Sequence, residues 1–468
     1  MELALLAAYA ALILWTGRTS EKHTTESFYV NNRAGSAWNV AFSIVVSCVG
    51  ASAVIGMIGM AFVVGVPAFW WLGAGAAGLT VLSLFLAGAV RRSGAYTLPH
   101  MAGTFLGNSA RPVIAAVIVV AWMAILAAQF AALVKVLGPL TGFSPPVCLG
   151  IGFLLVCGHT VGGQPAVMRV DKMQAVIIIG ALTTMLVWLS WRNPSWTENV
   201  VFEAVNSSFP PEKLLYFLVV VGANYVVCPM LFGRMLSARD GRTAKRGGLI
   251  GVGGILLCSA LIVAVGLACK GLIPASTPQD EVLTSVLAGE MPRGMHIVIS
   301  FALISAIVSS ADSCLVTAAT VFSYDLLGRD DAASARRCVV MLGAAGVLVS
   351  LWGKGILGFL LAAYDIFACG VVMPVFVGLV SRRRPGALWS CVAVGAGGLL
   401  GLLSAATENA LFSYAGIAVS LVVALGGAVS GGTAKCGEGE SGMIAIGTGA
   451  DVNRPASENS NKSVLPQL

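Results

Sequence analysis

The sequence predicts an all-α integral membrane protein of about 13 transmembrane helices, and three observations carry that prediction. Of 468 residues, 57% are hydrophobic and only 10% are charged, which is more apolar surface than one soluble core can bury. The apolar residues fall into segments near the ~20 residues that cross a bilayer at ~1.5 Å rise per residue. The positive charges gather in short connections between those segments, where they set topology. The formal charge of +7 is therefore a feature of the loops, and no nucleic-acid partner is expected.

In chain order, residues 1–17 form an apolar stretch without a basic leader or a small-residue cleavage site, so they read as a retained first span. Further apolar segments lie near 38–65, 67–90, 112–138, 144–161, 171–191, 214–236, 247–269, 294–326, 338–353, 355–380, 386–405 and 411–431. With the N-terminus outside, only Lys135, Arg192, Lys213, Lys270, Arg293 and Lys354 face outward, so the positive-inside rule favours this orientation and a cytoplasmic C-terminus. Arg18, Lys22, Arg234 and Arg382 to Arg384 fall among the charges assigned to cytoplasmic connections. Residues 97–112 read as a short interfacial helix, and 193–213 and 271–293 as the longest external loops. The transmembrane domain spans 1–431, and 432–468, rich in Gly, Ser and Asn, reads as a disordered cytoplasmic tail.

The 11 cysteines form no C-x-x-C pair and do not sit beside His ligands, so neither a disulfide framework nor a zinc site is supported. Phosphate-cradling, metalloprotease and serine-hydrolase motifs are absent from the sequence. No catalytic residue and no cofactor are expected, and an ATP-driven pump is disfavoured.

The chemistry concentrates between Ile299 and Leu327, a segment that is long enough to span yet carries hydroxyl residues and an acid at its centre. On a helix, Ala306, Ser309, Ser310, Ser313 and Thr317 share one stripe, with Asp312 about 60° from Ser309. Small-residue helix packing accounts for the stripe alone. Asp312 tips the reading toward a cation site, because an acid at a span's centre costs about 2.5–3.5 kcal/mol and needs a partner. Asp171 opens an apolar helix after Arg169, where pairing with Arg169 or Lys172 is the simplest account. Asp365 is a third acid at membrane depth, suited to binding an amine or to satisfying a backbone break near Gly370 and Pro374. His100 and His159 lie near predicted helix ends and are assigned no role. Gly50, Gly222 and Pro229 place helix breakers at mid-span in two segments, and a broken helix frees carbonyls that lipid tolerates only where they line a cavity or bind something.

Several stretches, in order, resemble the sodium/solute symporters, the family that includes proline, pantothenate, acetate and sugar symporters. They are SFYVNNRAGSAWNVAFSIVVS (27–47), IGMIGMAFVVG (55–65), RRSGAYTLPHM (91–101), GGQPAVMRVDKMQAVI (162–177), NYVVCPMLFGRMLSARD (224–240), AIVSSADSCL (306–315) and SRRRPGALWSCVAVGAGG (381–398). The resemblance implies a leucine-transporter-type fold, in which two inverted five-helix repeats, here about 38–191 and 214–380, enclose a site at the membrane midplane. It implies sodium ligands at the carbonyls of Val46, Val49 and Ala306 and the hydroxyls of Ser309 and Ser310. In relatives with a second sodium ion, an acid at the Asp171 position works with hydroxyls at the positions of Ser309, Asp312 and Ser313; this chain differs in having an acid at Asp312. Tyr225 matches an aromatic substrate-contacting position, and with Cys48, Gly50, Ser52 and Asp365 it forms the implied substrate site.

The function expected is secondary active transport, coupling inward sodium flow to uptake of a small organic solute across the cell's inner (plasma) membrane. An amino acid or small carboxylate suits a pocket with few polar side chains. Two alternatives stand beside it: a proton-coupled carrier using Asp171, Asp312 or Asp365, and a membrane sensory component that acts with a separate partner.

Overall fold

Hydrophobic segmentation, hydroxyl-rich stripes and internal helix breakers all leave their mark on the computed structural model, which describes residues 2–17, 24–198, 200–353, 355–381 and 385–430. The tail, Arg18, Lys22, Lys354 and Arg382 to Arg384 lie outside the described residues. Thirteen apolar helical segments correspond in order to those expected. They are α1 (Glu2–Gly17), α2 (Ala37–Cys48 with Ser52–Val64), α3 (Val66–Arg92), α4 (Ala110–Thr141), α5 (Pro145–Thr160), α6 (Gly163–Arg192) and α7 (Pro211–Leu236). The remainder are α8 (Gly241–Ala268), α9 (Arg293–Leu326), α10 (Ala332–Ser350), α11 (Ile356–Val380), α12 (Ala387–Thr407) and α13 (Ala410–Ser430).

The count of 13 spans is not reached by length: among the described residues ten helices, or 11 with the bent α2, are long and apolar enough to cross. The exceptions, α1 and α5, have 16 residues each, about 24 Å of helix against a ~30 Å hydrocarbon layer. Several helices also begin before their apolar windows. Asp240 caps α8 through the amide of Thr243 at 2.7 Å, and Asp331 caps α10 through the amide of Ser334 at 2.7 Å. Charged residues follow both caps, Arg242, Lys245 and Arg246 in α8 and Arg336 and Arg337 in α10, and hydropathy excludes them from a span although the backbone is already helical. Thr97 likewise accepts from the amide of His100 at 3.1 Å to start the expected interfacial helix, Leu98–Leu106.

Both expected breaks are present. In α2 the helix ends at Cys48, Val49 leaves helical geometry at φ −98°, ψ 63°, and the chain resumes from Ser52 at 59° to its first half. In α7 a widened turn at Phe217–Gly222 precedes Ala223–Val226, after which Val227 and Cys228 are non-helical and Pro229–Leu236 resumes. Proline at the start of that half-helix has no amide to leave unpaired. The α11 stretch around Gly370 and Pro374 is a widened turn, Ala368–Val372, that runs on into Met373–Val380.

Lipid supplies no hydrophobic drive between helices, so close backbone approach and interhelical hydrogen bonds carry the packing. Gly75 of α3 shows the principle: a Cβ there would lie 2.7 Å from the Tyr225 ring, so only glycine leaves room for the tyrosine against α3. The helix α9 packs against α2, α4, α5 and α6, and α11 packs against α4, α12 and the widened turns of α2 and α7. The two broken helices thus face the hydroxyl stripe of α9 across the centre of the bundle.

Candidate functional site

The break in α2 exposes backbone groups that must find partners in the absence of water. Two side chains supply them. Gln129 of α4 accepts from the amide of Ala51 at 3.1 Å, and the hydroxyl of Ser310 donates to the carbonyls of Val46 and Ser47, both at 3.1 Å. Gly50 permits this closeness, since a Cβ on it would lie 2.6 Å from the Cβ of Ser310. The break in α7 is held similarly: Asn224 donates to the carbonyls of Val220 at 2.6 Å and Tyr364 at 3.2 Å.

A cavity of about 50 Å³ lies between these breaks, and Cys48, Gly50, Ser52 and Tyr225 line it together. Gln129, Asn224, Tyr364 and Trp122 also line it, and sequence reasoning missed them. Only Asn224, beside the α7 break, carried a local signal; the others sit on regular helix. At about 10–15 Å³ of such space per water, the cavity suits a few waters, and an organic solute larger than that would need it to widen.

Asp365 is not among the residues lining this cavity. Its carboxylate accepts from Tyr216 Oη at 2.7 Å and Ser404 Oγ at 3.1 Å, and it lines a separate recess of about 570 Å³ with Lys213, Glu212 and Tyr414. One residue along the helix, about 100° around its axis, turns it away from the neighbouring Tyr364.

Of the residues implied for sodium, Val46 and Ser310 are in contact and Val49 stands at the α2 break. Ala306 is buried one turn before Ser310, against an apolar recess that includes Val54 and Ile58. Ser309 points elsewhere, donating to Asp171 Oδ1 at 3.0 Å.

Asp171 differs most from its sequence reading. The helix α6 begins at Gly163, so Asp171 lies two turns inside it, fully buried, while Arg169 and Lys172 are exposed. Its partners are hydroxyls from two other helices, Ser43 and Ser309, and the guanidinium of Arg234, whose Nη2 lies 4.0 Å from Oδ2. Arg234 is therefore no loop charge: it is 1% exposed. Its Nη2 donates to Ser313 at 2.5 Å and Ser47 at 3.1 Å, and those hydroxyls are 2.8 Å apart.

Asp312 belongs to a different pair. It is bonded to the ring of His159, and its other oxygen accepts from Thr160 at 2.9 Å. His159, assigned no role from sequence, is as buried as the acid it meets. The acid and hydroxyl groups expected to share one second cation are thus divided, Asp171 and Ser313 around Arg234 and Asp312 around His159.

Two further networks, outside the cavity lining, lie near opposite ends of α4. Toward one end, Tyr29, Tyr96 and Tyr324 pack edge to face, Arg111 lies over the Tyr324 ring at 4.6 Å, and its Nε meets Asp325 at 2.6 Å. Toward the other, Gln279 donates to the carbonyl of Gly56 at 3.1 Å, and Asp280 ties Lys135 to the amide of Ile356, both at 3.3 Å.

Comparisons with known proteins fit this geometry. A model of the sodium:solute symporter family matches residues 28–395. The chain is 24% identical over 359 residues to a sodium/pantothenate symporter of Haemophilus influenzae, covering 68% of this chain and 69% of that one. It is 24% identical over 379 residues to a sodium/glucose cotransporter of Vibrio parahaemolyticus, covering 70% and 68%. Among solved structures, a Na+-coupled sialic acid symporter in a substrate-bound outward-open state aligns with TM-score 0.79 at 15% identity, over 92% of this chain and 97% of that one. A nucleobase-cation-symport-1 family transporter in a closed conformation aligns with TM-score 0.61 at 14% identity, over 88% and 95%. The fold is the leucine-transporter type.

Proposed function

The chain belongs to the sodium:solute symporter family, and we propose that it takes up an amino acid or small carboxylate by alternating access, driven by inward sodium flow. Membership makes it a multi-pass membrane transporter of sodium and a small solute rather than an enzyme. The observation that carries the finer reading is the contact of Ser310 with the α2 break. A hydroxyl, two carbonyls and a break that frees further carbonyls form an oxygen-rich, neutral setting beside the solute cavity, which suits a hard monovalent cation.

Sodium is proposed to bind the carbonyls of Val46, Val49 and Ala306 and the hydroxyls of Ser310 and Ser309, the last exchanging its bond to Asp171 for the ion. The solute is proposed to sit against Cys48, Gly50, Ser52 and Tyr225, with Gln129 and Asn224 offering amides. Asp365 is left outside this site by its partners. Sodium entry and membrane potential supply the work: about 2.3 kcal/mol per charge at 100 mV is roughly 50-fold accumulation. The protein is proposed to sit in the inner (plasma) membrane with its N-terminus outside, the orientation that leaves the fewest positive charges outward.

The buried Asp312–His159 pair supports a second reading, a proton-coupled carrier of the same fold. Thermal-shift screening of purified protein against amino acids and carboxylates, with sodium or potassium, separates the readings. A solute that stabilises only in sodium supports sodium coupling, since ligands of the folded state raise apparent stability. Stabilisation indifferent to sodium but growing at lower pH would select the proton.

A further inference from the structure

The cage around Asp171 has the donor set of an alkali-cation site, yet it already holds a positive charge. Three spans contribute oxygens: Ser43 and Ser47 from α2, Asp171 from α6, and Ser309 and Ser313 from α9. Into it the half-helix Pro229–Leu236 projects Arg234, whose Nη2 reaches Ser313 at 2.5 Å and Ser47 at 3.1 Å and lies 4.0 Å from Asp171. Among the described residues, Nε and Nη1 of Arg234 are buried without hydrogen-bond partners. The guanidinium is thus held through one nitrogen, by the cage oxygens rather than by a full set of matched acceptors.

We propose that Arg234 is a tethered cation standing where a second transported ion would bind, and that it limits the protein to one sodium per cycle. Arginine keeps its proton in proteins, so Asp171 is compensated at every stage, whether or not sodium is present. A mobile cation entering the cage would meet a fixed like charge and a carboxylate already engaged. Asp312 offers no alternative, because His159 and Thr160 occupy both its oxygens. The arrangement also ties the ion to the moving parts: Ser309 links Asp171 to the proposed sodium site, and Arg234 bridges the broken α7 to the first half of α2.

The proposal rests on the sodium reading above, and counting ions separates the two. Equilibrium binding of sodium-22 to the purified full-length protein should give one ion per chain with a Hill coefficient near one. Arg234→Met should gain a second ion, Arg234→Lys should stay at one, and Arg234→Met with Asp171→Asn should return to one. Two ions in the wild type, or no gain in Arg234→Met, would overturn the tethered-cation proposal. None in the wild type but one in Arg234→Met would leave it standing and overturn the sodium site at Ser310. Should Arg234→Met fail to fold, Asp171→Asn decides: the count should remain at one, and loss of that ion would show Asp171 to be a ligand and contradict the proposal.

Discussion

The hydroxyl of Ser310 donates to the carbonyls of Val46 and Ser47 at 3.1 Å, joining the hydroxyl stripe of α9 to the break in α2. Ser310→Ala removes an oxygen and adds no bulk, so small-residue packing survives. Losing one such partner costs about 1–3 kcal/mol, and the sodium concentration for half-maximal binding should rise about fivefold or more. Titration with sodium-22 checks this, and a wild-type value in Ser310→Ala returns the stripe to packing alone.

Gly50→Ala tests the same contact from the other side. The new methyl would lie 2.6 Å from the Cβ of Ser310, in a segment where a backbone bend and a helix leave no slack. Sodium affinity should fall as in Ser310→Ala. The double variant with Ser310→Gly should recover folding, measured by thermal unfolding, though not sodium affinity.

Tyr225 lines the cavity and rests on the glycine pad at Gly75. Tyr225→Ala should weaken solute affinity at least tenfold and change sodium affinity little. Asp365→Asn, in the separate recess, should leave both nearly unchanged and lower stability by about 1 kcal/mol, through weaker bonds from Tyr216 and Ser404. Competition binding with the solute found by thermal shift reads both variants, and equal losses of the two ligands in Tyr225→Ala would misplace the tyrosine.

How much of this was legible follows from the range of each signal. The α2 and α7 breaks showed because Gly50, Gly222 and Pro229 act on their own backbone, and the α9 stripe showed because its period is local. Arg234 was misread as a loop charge because its meaning depends on Asp171, 63 positions away in sequence, and on a half-helix that turns it inward. Asp171 was placed at a helix end because the apolar run begins there, whereas the backbone is helical from Gly163. His159 acquired significance only when α5 was set beside α9. Likewise Gln129 carries no local signal on its regular helix, and its meaning lies in the acceptor it supplies to the α2 break.

The Arg111–Asp325 pair, beside the Tyr29, Tyr96 and Tyr324 cluster, ties the start of α4 to the end of α9. Asp325→Asn should loosen that tie and raise labelling of Cys314, a cavity-lining residue, by a membrane-impermeant thiol reagent applied from the side of the pair. Mass spectrometry of the labelled peptide should show at least a threefold faster rate. An unchanged rate would mean that the pair does not restrict access to the cavity.

Coupling itself is tested most directly by paired flux in proteoliposomes, following sodium-22 and the labelled amino acid or carboxylate found by thermal shift. Each should drive entry of the other, with one sodium entering per solute, and Ser310→Ala should abolish both at low sodium while high sodium restores them. Solute entry that proceeds at the wild-type rate without sodium, or sodium entry indifferent to solute, would contradict the account.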